Sequence, residues 1–197
     1  MTQQVKNLRL RRTQKLLREA LIELIEERGF DALTIGELTE RALVSRAAFY
    51  RQYQDKYDLV EQIFAEAMDA LSNDVGDRLG QDHPAEVWVK FFEHIEQYER
   101  LYRALLGRKG SPWFVMKMRA SMTDLVKDYG HPPNRGNTSM HLVHTSSDEF
   151  VPDLVATMLV EAISWWLEHA RPYTAKEIAT RSSLLAAAIF KEASTWQ

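Results

Sequence analysis

An all-helical fold is what this sequence predicts, and three observations predict it. Apolar residues recur at steps of three and four along the chain, the period of a helix with one buried face, and not the alternation of a half-buried strand. Only 8 glycines and 6 prolines punctuate 197 residues. The periodic stretches between them open on capping residues and close on helix breakers, giving about nine helices.

In the first stretch, from Thr13, residues Leu17, Leu21, Leu24 and Ile25 share one face, which ends at Gly29, a residue tolerant of positive φ. Thr34-Ile-Gly-Glu37 is a capping box: the Thr34 hydroxyl accepts from the Glu37 backbone NH while the Glu37 carboxylate reaches back. Ile35, Leu38 and Ala42 then line a short second helix. Ser45 caps a third, running to about Tyr53. Asp55 caps a long fourth, with the stripe Leu59 or Val60, Ile63, Phe64, Ala67, Met68, Leu71 and Val75. After the polar joint Gly80-Gln-Asp-His-Pro84, residues Trp88, Phe91, Phe92, Ile95, Tyr98, Tyr102 and Leu105 mark another long helix, broken between Gly107 and Pro112. Trp113 or Phe114, Met118, Met122, Leu125 and Tyr129 form the next. Residues 130–149 hold two prolines, two glycines and a cluster of Ser, Thr and Asn, and read as a mobile loop. Two final helices, about Val151 to His169 and Thr174 to Trp196, are split by Arg171-Pro172.

A 45% hydrophobic chain of this length builds a sizeable core, as one domain or two small ones. The absence of cysteine excludes disulfides, thiolate metal sites and cysteine nucleophiles, and suits a reducing cytoplasm, the expected location. The polar, basic opening MTQQVKNLRLRR is not a secretory signal. No apolar run approaches a membrane span, the best, Leu154 to Val160, stopping at Glu161, so no membrane partner is expected.

Helix 2, the joint Leu43-Val44 and helix 3 have the lengths of a helix-turn-helix, residues 34–53, whose second helix enters the major groove of double-stranded DNA. Phe49 and Tyr53, four apart, turn inward with Val44 onto Leu38 and helix 1. Arg46, Ala47, Tyr50 and Arg51 then point outward together: two cations, an aromatic hydroxyl and one small residue that allows close approach. Arginine forks onto guanine O6 and N7, Gln52 pairs with adenine if it turns to the groove, and Tyr50 reaches a phosphate. Lys56 sits in the first turn of helix 4, where the helix dipole favours acids, and a phosphate held there would explain it. On periodicity alone the same face also reads as a merely solvated one.

The stretch Gly29-Phe-x-Ala-Leu-Thr34-Ile-x-x-Leu38-x-x-x-Ala42-x-Val44-Ser45-Arg46-x-x-Phe49-Tyr50-x-x-Tyr53-x-x-Lys56-x-x-Leu59 closely resembles the N-terminal domain of TetR-family (tetracycline-repressor-like) transcriptional regulators, over roughly residues 10–65. The resemblance implies a three-helix DNA-binding domain at 10–70 and a C-terminal regulatory and dimerisation domain at 71–197. It implies a homodimeric repressor released from a palindromic operator by a small molecule. Position by position, it puts Ser45 at the start of the recognition helix, and Arg46 and Ala47 where family members touch bases or phosphates. Tyr50 falls on a phosphate-contacting tyrosine, Lys56 on a lysine that grips phosphate, and Thr34 on a helix cap that often meets the DNA backbone. Gln52 stands where histidine is common and Tyr53 where phenylalanine is usual. The expected DNA-contacting set is Thr34, Ser45, Arg46, Ala47, Tyr50, Arg51, Gln52, Tyr53 and Lys56. One residue departs from the pattern: Leu43 replaces the family's glycine, and leucine is uncommon at positive φ, so this turn has either a different backbone or a strained one.

The aromatic and methionine faces of the C-terminal half read, residue by residue, as bundle core. Together Trp88, Phe91, Phe92, Tyr98, Tyr102, Trp113, Met118, Met122 and Trp165 also fit an apolar pocket between helices for an unknown small apolar or aromatic effector. Glu99-x-Leu101-Tyr102-Arg-Ala-Leu105-Leu106 loosely resembles one subgroup of the family's C-terminal domains. The last two helices carry stripes broad enough for a core and a partner. As the family pairs these two helices across a two-fold axis, Met158, Ala162, Trp166, Leu184, Leu185 and Ala188 are expected in a homodimer interface, with the two recognition helices one DNA turn apart.

His141-x-x-His144, with His131, Asp148 and Glu149 nearby, invites a metal reading, but metal sites hold at least three donors in ordered register, and this segment is expected to be mobile. No metal and no cofactor are expected. Without a glycine-rich phosphate loop, a nucleophile elbow or a His-Glu helix motif, the chain does not read as an enzyme, and His94 and His169 read as solvated or core residues. Two alternatives stand: the same dimer without a small-molecule effector, controlled by a protein or acting as an activator, and a helical interaction module or enzyme with a vestigial DNA-binding domain. The formal charge of −3 argues against a polyanionic partner only until it is divided along the chain. Residues 1–18 carry six basic groups and no acid; residues 1–60 carry 11 basic against 9 acidic, and the remainder 14 against 19. An acidic body thus bears a basic leading arm, expected to lie along phosphate or minor groove when DNA is bound.

Overall fold

A computed structural model describes residues 2–76, 84–129 and 149–196. Among them the chain forms nine helices and no strand: α1 (Thr2–Arg28), α2 (Ile35–Arg41), α3 (Arg46–Tyr50), α4 (Lys56–Gly76), α5 (Pro84–Gln97), α6 (Glu99–Leu106), α7 (Pro112–Tyr129), α8 (Phe150–Glu168) and α9 (Ala175–Ala193). The all-helical class is as expected. Helix α1 begins at Thr2 and not at Thr13, so the basic opening continues the helix. The long helix expected after residue 84 is two, because Tyr98 leaves the helical region at φ −108 and ψ 27. The His141-x-x-His144 cluster with His131 and Asp148, and all of the 130–149 loop except Glu149, lie outside the described residues.

The helices make two compact units, residues 1–74 with 98–111, and residues 75–97 with 112–197. A single cut between residues 70 and 71 does not describe this division, because α6 and the turn after it belong to the first unit. They belong there physically: α6 buries Leu101, Tyr102, Ala104, Leu105 and Leu106, and it packs on α1. Tyr98 and Tyr102 therefore fall in the first unit, and the other residues of the expected effector pocket in the second. In the first unit, Leu17, Leu21 and Ile25 of α1 meet a core that includes Leu38, Phe49 and Leu59, all fully buried.

In the second unit α7 runs along α8, α5 along α9, and α8 on α9. Trp88, Phe91, Phe92, Met118 and Met122 are buried, and Trp113 is half-buried. The two neighbouring tryptophans of α8 exchange their expected places. Trp166 shares the buried stripe of Val155, Leu159 and Ile163, sits edge-on to Phe92 with ring centroids 5.7 Å apart, and donates from Nε1 to the Tyr173 carbonyl at 2.8 Å. It is core and not dimer surface. Trp165 shares the outward stripe of Leu154, Met158 and Ala162 and is 39% exposed, stacked between His169 (4.5 Å) and Tyr173 (6.2 Å). It lines no pocket. A helix turns about 100° per residue, so adjacent tryptophans cannot share a face. Met158 and Ala162 are half-buried, and Leu184, Leu185 and Ala188 are exposed.

By length and composition α8 passes as long and apolar enough to cross a membrane, which a count of uninterrupted apolar residues did not suggest. Its buried residues, Val151 to Leu167 on one stripe, pack instead against α7 and α9, as in the core helix of a bundle.

Candidate nucleic-acid interface

Helix α2 has seven residues, too few to hold by propensity, so its ends decide its position. At its start the capping box is complete. The Glu37 backbone NH donates to Thr34 Oγ1 at 3.2 Å, and the Glu37 carboxylate accepts from the Thr34 backbone NH at 3.0 Å and from its hydroxyl at 2.8 Å. These bonds, the hydroxyl's first, hold the Glu37 carboxyl below its ordinary range, and Arg28 pairs with the same group. At its end, the Leu43 NH reaches the Glu40 carbonyl (3.1 Å) and the Val44 NH the Thr39 carbonyl (2.9 Å), the paired bonds of a Schellman motif with Leu43 at its left-handed position. Leu43 has φ 54 and is 91% exposed. The choice left open by the sequence is thereby made: the turn keeps the glycine backbone and strains the leucine.

Helix α3 spans five residues, capped by Ser45 Oγ, which accepts from the Ala48 NH at 3.1 Å. Phe49 anchors it, fully buried between Tyr50 and Tyr53, each with ring centroids 5.4 Å from its own. Ser45, Arg46, Ala47, Tyr50 and Arg51 remain outside as one exposed surface. Among the described residues Arg18, Arg28, Arg41 and Arg100 are each paired with glutamate, whereas Arg46 and Arg51 meet no carboxylate. Gly36 makes room for one of them, since a Cβ there would lie 2.7 Å from Arg46 Nη2.

Three residues expected to contact DNA are placed otherwise. Tyr53 follows the end of α3 and is buried, and burial pushes its pKa up; it is core. Gln52 is half-buried, its Nε2 3.4 Å from the Ala48 carbonyl and its Oε1 enclosed with no hydrogen-bond partner among the described residues, so its amide is turned inward. Lys56 explains its own odd position without phosphate. Its Nζ donates to the carbonyls of Phe30 (2.8 Å), Asp31 (2.9 Å) and Leu33 (3.0 Å), and lies over the rings of Phe30 and Tyr57. All three ammonium protons are in use. Burial draws the Lys56 pKa down, against the pull of Asp31 and Asp55. Asp55, as expected, caps α4, accepting at Oδ1 from the Tyr57 and Asp58 NH groups, each at 2.8 Å.

Sequence reasoning missed the partners that α6 and its turn bring to this unit. Arg100 forks onto Glu26, and Lys109 donates to the Glu26 and Glu27 carbonyls. No local pattern announces them, with more than 70 residues between partners. It also missed a second capping box, Thr174 with Glu177 at the start of α9, whose signature stands in the sequence.

Residues 17–63 match the family described as bacterial regulatory proteins, tetR family, and residues 82–187, more than half of the chain, match the transcriptional regulator C-terminal region family. A 55-residue stretch is 33% identical to an uncharacterized HTH-type transcriptional regulator of Bacillus subtilis (strain 168), YxbF, over 28% of this chain and 14% of that protein. The HTH-type dhaKLM operon transcriptional activator DhaS of Lactococcus lactis subsp. lactis (strain IL1403) is 22% identical over 117 residues, 59% of this chain and 62% of that one. The chain thus spans less than two thirds of either relative. A solved TetR transcriptional regulator from Streptococcus agalactiae 2603V shares the fold with a TM-score of 0.60, at 19% identity over 93% of this chain and 98% of that chain. A capped helix-turn-helix presenting two arginines that meet no carboxylate among the described residues, in a chain whose two halves match a regulator's two parts, makes this protein a member of the TetR family of transcriptional regulators.

Proposed function

We propose that this regulator is a homodimeric repressor that reads a palindromic operator through α3 and is released by a small apolar or aromatic effector taken up by the second unit. One observation carries the DNA reading: Arg46, Ala47, Tyr50 and Arg51 form an exposed face on a helix locked by Phe49, with both guanidinium groups unclaimed by carboxylates among the described residues. Guanine edges and phosphates are what such a face recognises. Support for the dimer comes from the outward apolar residues Leu154 and Trp165 of α8 and Leu184 and Leu185 of α9. A dimer formed there would have to space two α3 helices by about one turn of DNA to read a palindrome. Support for the effector is the aromatic and methionine lining of α5 and α7, which an apolar molecule would have to open, shifting the equilibrium by its difference in affinity for the two states. The protein acts, on this reading, in the cytoplasm.

Selection of bound duplexes from a random pool tests the proposal. The expected yield is a palindrome with half-sites about one helical turn apart. An unenriched pool, or a single half-site bound by a chain that light scattering finds monomeric, would overturn it. The activator named among the relatives supports a second reading, the same dimer acting as an activator. Deleting the gene separates the two, raising target transcription if the protein represses and lowering it if it activates.

A further inference from the structure

The C-terminal end of α1 is held by residues far away in the chain. Lys109, in the turn after α6, donates from Nζ to the carbonyls of Glu26 at 2.8 Å and Glu27 at 3.1 Å, and its own carbonyl accepts from the Phe30 NH at 2.9 Å. Arg100 of α6 forks onto the Glu26 carboxylate at 3.1 and 2.8 Å. Gly29, at φ 88, lies against the same turn, and a Cβ there would meet the Lys109 carbonyl oxygen at 3.3 Å. The last carbonyls of a helix lack intrahelical donors and carry the negative end of its dipole, so a cation with free protons completes them. A few residues on, Lys56 takes the carbonyls of Phe30, Asp31 and Leu33, and Thr34 then opens α2. The loop that aims α2 and α3 thus runs between two ammonium groups, one from α4 and one from the turn after α6.

We propose that Lys109 is a positioning residue for DNA binding. With Arg100 it latches α6 and the following turn onto the end of α1 and so fixes how α2 and α3 are presented, without itself meeting DNA. The latch segment, residues 98–111, is continuous in the chain with α5 on one side and α7 on the other, the helices that carry Phe91, Phe92, Met118 and Met122. The inference rests on the DNA-binding reading of α3.

The test compares the full-length protein with its Lys109→Met and Lys109→Arg variants. Affinity for a duplex recovered by selection is measured across a range of salt concentrations, and amide hydrogen exchange is followed without DNA. Lys109→Met is expected to weaken binding about tenfold at every salt concentration, as for loss of a charged hydrogen bond, with an unchanged salt slope. Lys109→Arg, which keeps donors on the two carbonyls, is expected to restore affinity to within about twofold. A slope reduced by about one unit would make Lys109 a phosphate contact, and unchanged affinity would make it a surface lysine; either overturns the proposal. Exchange of the Phe30 amide is expected to quicken in Lys109→Met, and equal exchange in both proteins overturns the latch. That readout stands even if the wild type binds no duplex, an outcome that sinks the DNA reading separately. Should Lys109→Met not fold, Arg100→Gln, which opens the exposed fork on Glu26, carries the same expectations.

Discussion

The two units are held together by different forces. In the first, short helices are set by polar bonds at their ends and rims: the Thr34 box, the carbonyl cluster on Lys56, the carbonyls on Lys109, and Arg41 forked onto Glu27 at 2.8 and 2.9 Å with Glu23 at 3.1 Å. In the second, rings and aliphatic side chains fill the space. Phe91 stands edge-on to Trp88 at 6.4 Å and to Phe92 at 6.1 Å, and Phe92 to Trp166. Length explains the contrast for the recognition helices, though not for α1, which at 27 residues is longer than any helix of the second unit. Helices α8 and α9 have 19 residues each, long enough for a broad apolar stripe, whereas α2 and α3 have seven and five. A small recognition surface is therefore aimed by directional bonds, and a larger body is shaped by volume.

The largest expected effect lies in the volume-shaped unit. Trp166→Ala should destabilise the protein by about 4 kcal/mol in urea denaturation, through the void beside Phe92. Lys56→Met probes the bond-shaped unit. It should cost about 2 kcal/mol by leaving three carbonyls without their donor and should weaken DNA binding too, whereas a mere phosphate contact would lose affinity at unchanged stability. The capping boxes allow the same change in both units. Thr34→Ala and Thr174→Ala should each cost about 1 kcal/mol, but only the first should reduce affinity for DNA in a titration. Acid should act the same way. Glu37 and Glu177 are held below the ordinary 4.5, so their contribution is present above that pH and is lost as pH falls through the lower folded values, which helicity followed by circular dichroism would register. Smallest is a gain. Leu43→Gly should stabilise the protein by about 0.7 kcal/mol, read as a higher denaturation midpoint, because it relieves a left-handed leucine with no packing to lose. A loss of stability there would mean that the leucine is held by contacts.

What the sequence revealed follows the range of the interactions. Thr34, Ser45 and Asp55 were legible as caps because each bonds within three residues of itself. The departure at Leu43 was legible for the same reason. Gln52 and Tyr53 were misplaced because α3 ends at Tyr50, three residues before periodicity alone would stop it. The partners of Lys56 lie 23 to 26 residues away, and a cation in a first turn carries no sign of which carbonyls it will meet. Trp165 and Trp166 were exchanged because both stripes of α8 are apolar, so composition did not separate inside from outside. Their registers did, Trp166 falling three and seven residues after Ile163 and Leu159.

The interleaving of the units sets an order on the birth of the chain. Synthesis delivers the N-terminus first. When α4 has emerged from the ribosome the recognition helices exist, yet the last carbonyls of α1 still face water where Arg100 and Lys109 will come. Those residues arrive only after α5, with Trp88, Phe91 and Phe92, has been made, while α7, α8 and α9 are still missing. The DNA-reading unit is thus complete only once α5 and residues 98–111 have been made, yet before α7, α8 and α9 of the second unit. A nascent chain stopped at residue 74 would carry α2 and α3 on a helix whose end is untied.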